Sequence, residues 1–384
     1  MTADPEGQNR GAHRKPDGPL KRGWTTGACA TAATKAALEA LLTGQFPDPV
    51  TITLPKGQQP SFALARHALR PDRAMAAIIK DAGDDPDVTH LALIQSTVRK
   101  LPVGSGVVFK AGEGVGTVTK PGLPIPPGEP AINPVPRQMM SEVVAEVAAR
   151  CGGTTDVEIT ISIPNGAEIA KQTWNPRLGI LGGLSILGTT GIVNPYSCAA
   201  WIASIHRGID VIRAAGLTHA AACTGSITET AVGKRYALPD FAFIDMGDFA
   251  GGTLKYLRHH PIRHLTLAGG FGKFAKLADG WLDLHSGRSQ VNLENLATAI
   301  RELGGADDLA AKVRAGNTAM EALGIARAAA LPLGDWVAKK AQAVARAEAD
   351  SKVDIEILVY DRAGDLVGHA DFATPPIAAA GRHG

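Results

Sequence analysis

The chain has 384 residues, 45% of them hydrophobic and 20% charged, with a formal net charge of +2. That is enough apolar material for two cores and too little positive charge for a nucleic-acid surface. No apolar run reaches the roughly 18 residues of a membrane-spanning helix. The four cysteines, Cys29, Cys151, Cys198 and Cys223, form no C-x-x-C pair, which argues against a zinc ribbon or a disulfide scaffold and fits a reducing cytoplasm.

Residues 1–19 are polar and rich in Gly and Pro, lack the apolar core of a secretory signal, and read as a disordered leader. A helix follows from about Ala28 to Leu42, with Thr25 or Thr26 as N-cap and Gly44 just past its end. Its alanines suit close packing on a sheet. Its first turn, beside Gly27, offers backbone N–H groups where an anion can sit. The runs "VTITLP", "SFALAR", "AMAAIIK" and "THLALIQSTVRK" read as strands. Between the last two, "DAGDDPD" (Asp81 to Asp87) gathers four carboxylates. Its spacing does not fit an EF-hand loop, and Gly-Asp-Asp-Pro is a turn sequence.

Seven prolines between Pro121 and Pro136 predict an extended, stiff segment. A helix from Pro136 to Arg150, ended by Gly152-Gly153, closes an N-terminal α+β domain over residues 20–153. Residues 154–372 then form a second domain. It opens with the strand "VEITISIP" and the glycine-rich "GGLSILGTTGIVNPYS" (Gly182 to Ser197). A helix capped by Ser197 carries an apolar stripe of Trp201, Ile205, Ile209 and Ile212. Apolar strands and helices then alternate: "THAAAC", "FAFIDM" and "HLTLAG" are strands, each followed by a loop and a helix. This βαβ pattern predicts a Rossmann-like αβα domain with a mainly parallel sheet, so the fold class is α/β. An Ala-rich helical region from Asn292 to Asp350 and a final hairpin, "DIEILVYDRAGDLVGHADF", complete it, and residues 373–384 read as a disordered tail.

Ligands of open α/β sheets bind outside the carboxyl ends of the strands. Three loops fall there: "CTGS", "DMGD" and "GGFGK". Thr224, Gly225, Gly247, Gly269 and Gly270 leave room for a ligand. Asp245, twenty positions after Gly225, is placed to accept hydrogen bonds from a ribose. No G-x-G-x-x-G, G-x-S-x-G or H-E-x-x-H is present. His206 and His264 read as packing residues, and His285 in "LDLHSGRS" is the best imidazole candidate for a catalytic role.

Five blocks, "GWTTGACATAATKAA", "IIKDAGDDPDVTH", "GEGVGTVTKPGLPIPPGEPAINPVPRQMM", "TWNPRLGILGGLSILGTTGIVNPYS" and "GGFGKFAKLADGWLDLHSGRS", together resemble the cobalt-precorrin-5B C1-methyltransferase family from about Leu20 to Ser289. The resemblance implies transfer of a methyl group from S-adenosylmethionine to C1 of a cobalt corrinoid in the cobalt-early, anaerobic route to adenosylcobalamin. It implies no protein-bound metal, since cobalt arrives with the substrate, and transient contacts with neighbouring pathway enzymes. It accounts for the missing nucleophile, because the methyl group is already activated and the protein need only position it. Acetate and propionate arms on the substrate call for distributed cations and N–H groups. Those expected to serve are Thr25, Thr26, Gly27, Lys120, Arg137, Arg177, Gly188, Thr189, Thr190 and Lys273, with Arg22, Lys171 and Lys276 as further cations. Gly182 to Gly191 is expected to form a backbone wall of the site. The donor is expected at Thr224, Gly225, Asp245, Gly247, Gly269 and Gly270. Two rivals are an NADPH-dependent corrinoid reductase and a non-enzymatic carrier of corrinoid intermediates. The sequence does not fix the oligomeric state.

Overall fold

The computed structural model describes residues 18–374, so most of the expected leader and tail lies outside the described residues. The chain forms two compact units: residues up to Lys120 with Pro124–Cys198, and Pro121–Leu123 with residues from Ala199 onward. No helix of the described residues is long and apolar enough to cross a membrane.

In the first unit, β1 (Gly23–Trp24) leads into α1 (Thr26–Thr43). Short strands β2 (Val50–Thr51) and β3 (Ser61–Phe62) follow, then β4 (Arg66–Leu69), β5 (Arg73–Ile79), β6 (Leu93–Lys100), β7 (Val107–Ala111) and β8 (Thr117–Val118). Next come α2 (Pro134–Cys151), β9 (Val157–Ser162), α3 (Gly166–Ala170), β10 (Ile180–Leu181) and β11 (Ile192–Val193). The main sheet has the order β4-β5-β6-β9-β7, antiparallel except for the β7–β9 pair. Alternate residues of β9, Val157, Ile159 and Ile161, are fully buried with α1 and α2 side chains, as period-two patterning requires.

Thr25 caps α1 through its hydroxyl, and Gly44 ends it at φ +83°. Its alanines from Ala28 to Ala40 are buried, so the helix lies in the middle of the core. Thr31 and Thr34, also buried there, return their hydroxyls to the carbonyls of Gly27 and Ala30 at 2.8 Å, which removes two donors from the apolar interior.

The boundary expected at residue 153 is not where the units divide. "VEITISIP" is β9, and it pairs with β6 and β7 inside the first unit, which continues to Cys198. The proline segment departs from the stiff, extended form that its prolines predict. It is folded back as turns rather than extended: Gly128 N–H donates to Val118 and Val118 N–H to Glu129. Arg137 then clamps it, with Nε on the Ile132 carbonyl (2.8 Å) and a terminal nitrogen on Pro130 (3.0 Å) and Glu129 (3.2 Å).

The second unit begins with α4 (Cys198–Ala214), β12 (His219–Cys223), α5 (Ser226–Arg235), β13 (Phe243–Asp245), α6 (Ala250–His259), β14 (His264–Gly270) and α7 (Phe271–Ala278). It continues with α8 (Leu293–Glu302), α9 (Asp307–Ala315), α10 (Ala319–Ala328), α11 (Leu333–Glu348), β15 (Asp354–Tyr360) and β16 (Leu366–Ala370). The sheet order is β13-β12-β14-β15-β16, parallel except for β16, so the final hairpin joins this sheet. Ala220, Ala222, Leu265, Leu267, Ile355 and Ile357 bury one face in a core shared with α4, α6, α7 and α11. Ala221, Cys223, Ala268 and Leu358 bury the other with Val232 of α5. A sheet apolar on both faces is the expected signature of parallel strands covered by helices.

Candidate functional site

The chain runs from β12 outward to β13, then returns past β12 to β14. The order reverses between β12 and β14, and in such sheets the crevice at the carboxyl ends beside that reversal is where ligands bind. Thr224 and Gly225 follow β12, and Gly269 and Gly270 end β14. Thr224 N–H donates to the Ala268 carbonyl at 2.9 Å, so the two loops are stitched at their base. A Cβ on Gly225 or Gly270 would meet nothing within 4 Å, and these two glycines border open space. Each precedes a helix whose cap has no side-chain hydrogen bond, α5 and α7 respectively. The terminal N–H groups of two helices therefore meet the crevice without a side-chain acceptor. Gly269 is different. Its Cβ would fall 2.7 Å from Phe274 and 2.8 Å from Thr224, so glycine is required there for helix–strand packing, not for a ligand.

Asp245 ends β13 opposite Cys223. Its carbonyl accepts the Trp201 indole N–H at 3.1 Å. Gly247 follows at φ +56° with the Trp201 ring against it. The ammonium of Lys273, in the first turn of α7, reaches the Thr224 carbonyl at 3.1 Å and Asp248 Oδ1 at 3.1 Å. One side chain after β14 thus holds the loops after β12 and β13. Expected as a hand for substrate carboxylates, Lys273 is instead engaged within the unit. Lys276 is buried, donates to the Leu284 carbonyl at 3.0 Å, and is pushed below the usual ammonium range by that burial. His285 is exposed, and its Nδ1 accepts from Gly287 N–H at 3.1 Å, which closes a turn on itself. It lies outside the crevice loops named above. His206 stacks on Tyr256 at 3.9 Å, and His264 Nε2 lies 2.8 Å from the Thr374 carbonyl; both pack, as the sequence suggests.

In the first unit, Thr25, Thr26 and Gly27 are occupied. Gly27 N–H donates to the Leu187 carbonyl (2.9 Å) and Thr25 N–H to Gly191 (3.0 Å). The Thr26 hydroxyl both accepts from Leu187 N–H (3.0 Å) and donates to its carbonyl (3.2 Å). The helix N-terminus expected to hold an anion is plugged by the glycine-rich stretch itself. Gly188 fits because a Cβ would lie 2.3 Å from Thr25 Oγ1, and Gly183 because one would lie 2.2 Å from the Gly114 carbonyl oxygen. The wall formed by 182–191 is thus pressed against its own unit. Thr189 is exposed, and the Thr190 hydroxyl pairs with the backbone of Ile192.

Arg177 lies over the Trp174 ring at 5.5 Å, the Lys120 stem lies against Gly179, and Lys171 pairs with Glu168 at 2.7 Å. The carboxylates of 81–87 are met by protein donors. Asp81 takes Lys21 Nζ (2.6 Å), Asp84 the Lys21 N–H (2.6 Å), Asp85 the Tyr196 N–H (2.8 Å) and Asp87 the buried Lys80 (2.6 Å) with both donors of Thr89. Burial alone would raise Asp87, but the Lys80 ammonium and Thr89 outweigh it and hold its carboxyl below the usual range. The loop is a joint between segments.

Sequence reasoning missed a buried network on the α5 side of the second sheet. Glu356, fully buried, accepts from the Tyr236 hydroxyl (2.8 Å) and the Thr266 hydroxyl (2.8 Å), with His369 Nε2 at 3.0 Å. Thr266 in turn faces His219 Nε2 at 2.9 Å. With Asp371, Glu356 and His369 gather three potential metal ligands, but the Glu356 oxygens are already met by these donors. The available signal was one glutamate between the apolar Ile355 and Ile357 of β15.

A family profile described as CbiD matches residues 13–195, and one described as CbiD, C-terminal domain, matches residues 283–371. A protein of Brucella anthropi named cobalt-precorrin-5B C(1)-methyltransferase is 59% identical over 349 residues, covering 91% of this chain and 95% of that protein. One of the same name from Rhodospirillum rubrum is 59% identical over 350 residues, covering 91% and 97%. The crystal structure of the cobalamin biosynthesis protein CbiD of Archaeoglobus fulgidus shares 26% identity over 66% of this chain and 78% of that one, with a TM-score of 0.38.

Proposed function

The chain belongs to the CbiD family, and from that premise we propose that it methylates C1 of cobalt-precorrin-5B, giving cobalt-precorrin-6A in anaerobic adenosylcobalamin synthesis. The observation that carries this reading is the 57–59% identity, across 91% of the chain, to proteins named for that reaction. The methyl donor is S-adenosylmethionine, bound at the crevice beside β12 and β14. When bound, it supplies a methyl group already activated on a positively charged sulfur.

What the residues do follows from that. The open backbone at Gly225 and Gly270 and the helix ends beside them suit the donor's carboxylate, and Asp245 suits the ribose hydroxyls. Lys273 keeps the loops in register through Thr224 and Asp248. The chain need supply no nucleophile, because the attacking carbon belongs to the electron-rich macrocycle. Holding donor and acceptor in line is worth about 7–11 kcal/mol where the geometry is good. For the substrate's carboxylate arms, the first unit offers the exposed Thr189. The reading places the reaction in the cytoplasm, where buried thiols such as Cys29 and Cys223 stay reduced.

Calorimetric titration with S-adenosylhomocysteine tests the donor site. One-site binding that Asp245→Ala weakens at least tenfold, followed by anaerobic formation of a C1-methylated cobalt corrinoid, is expected. Absence of binding both with and without a cobalt corrinoid overturns the reading, as does heat with NADPH alone.

A further inference from the structure

Helical spacing puts Trp201 in the same stripe as Ile205, Ile209 and Ile212. The three isoleucines are buried, whereas Trp201 remains 43% exposed. It sits in the first turn of α4, beside the carboxyl end of β13. A lone exposed aromatic needs no explanation, but this one is held in place. Its N–H is tied to the carbonyl of Asp245 at 3.1 Å. Gly247, at φ +56°, lies beneath it with a notional Cβ 3.3 Å from the ring. Phe249 supports it from the side, with ring centroids 6.1 Å apart. The ring is therefore fixed in orientation and exposed at the strand end that carries the acid.

An indole immobilised in this way offers a flat π surface whose ordering entropy is already lost before a ligand arrives. Its polar edge faces the protein. The 43% of the residue that remains exposed suits a planar aromatic group. A ribose held by Asp245 brings its base within reach of the neighbouring side chain. Resting on the reading of this crevice as the donor site, we propose that Trp201 is the base-stacking platform of that site, with the purine of S-adenosylmethionine lying on its exposed face. Gly247 is then required because a larger residue would displace the ring that reads the base.

The test combines fluorescence, calorimetry and kinetics on the full chain. S-adenosylhomocysteine is expected to quench tryptophan emission in the wild type. Trp201→Phe is expected to keep affinity within about threefold and lose that quench. Trp201→Ala is expected to weaken S-adenosylhomocysteine binding about tenfold or more, the usual loss for a removed base stack. It should raise the KM for the donor while leaving the KM for the cobalt corrinoid unchanged, a split that a general loss of folding does not produce. Unchanged far-UV circular dichroism of both variants secures the comparison. Wild-type binding that Trp201→Ala leaves intact overturns the stacking role and leaves the donor reading standing. No binding to the wild type, with or without corrinoid, overturns both.

Discussion

Adjacent glycines 182 and 183 separate two reasons for needing glycine. Gly182 has φ +85° and nothing within 4 Å of a notional Cβ. Replacing it by Ala costs the left-handed penalty of about 1–2 kcal/mol, offset by about 0.4–1 kcal/mol from a less flexible unfolded chain. Gly183 has ordinary φ, but its Cβ would fall 2.2, 2.3 and 2.7 Å from Gly114 O, Gly114 C and Val115 N. Those atoms are pinned, because Leu184 N–H donates to Gly114 O and Gly116 N–H to Leu184 O, both at 2.9 Å. Relief breaks two bonds worth about 0.5–1.5 kcal/mol each and overpacks the buried Val115 and Leu184, at about 1–3 kcal/mol. With the same unfolded-state offset, Gly183→Ala should therefore lose about 1–5.5 kcal/mol and Gly182→Ala about 0–1.5. For a unit of this size that is a Tm fall of about 2–22 °C against less than about 6 °C. Thermal melts of the full chain followed by circular dichroism read both. A Gly183→Ala melt within 1 °C of the wild type, or a larger loss at Gly182, refutes the close-approach argument.

Lys273→Met should destabilise the second unit by about 1–2 kcal/mol, since it leaves Asp248 Oδ1 without its ammonium; it should also weaken S-adenosylhomocysteine binding, and Lys273→Arg should restore part of both in urea melts and calorimetry. Burial holds His219 down at about 4, below its usual 6.5. The unfolded chain then takes a proton near pH 6.5 that the folded chain refuses until about pH 4. Stability contributed here is full above pH 6.5 and falls by up to about 3 kcal/mol on acidification to pH 4. Urea melts across that range should show the slope, and His219→Gln should flatten it. The Cys29 thiol, pushed up to about 12 by burial, should resist iodoacetamide until the chain unfolds while the exposed Cys198 is labelled first, as read by mass spectrometry.

What was legible in the sequence was local. Thr25, Gly44 and Gly152 announce helix ends because caps depend on a few neighbouring residues. The strands of the second unit announce themselves by apolar runs between helices, and with them the crevice loops and Asp245. What was hidden depends on contacts between distant residues. The N-terminus of α1 looks open until Leu187, 161 positions away, closes on Thr26. Trp201 obeys the periodicity of a core stripe, but periodicity does not record where a helix overruns its sheet. The Glu356 network exists only once β14 and β15 pair, 90 residues apart at Thr266 and Glu356. The boundary at residue 153 failed for a related reason: β9 finds its partners β6 and β7 earlier in the chain.

The position of β15 sets an order of biosynthesis. It is an inner strand, paired with β14 on one side and β16 on the other, yet among the described strands it is the last but one to leave the ribosome. The first unit is translated in full by Cys198, and N-terminal units fold first during synthesis. The second waits for roughly 160 more residues, about 8–30 s at 5–20 residues per second. From the completion of β14 at Gly270 until β15 emerges, β14 presents an unpaired edge to the surrounding proteins while α8 to α11 are made with no completed sheet to cover. Stalled or nonsense-truncated chains that end between Gly270 and Asp354 expose the same edge, and such edges invite strand pairing between chains. Quality-control factors that scan for unpaired strands thus meet β14 as an edge in the nascent second unit, whereas in the finished sheet it is paired on both sides, with β12 and β15.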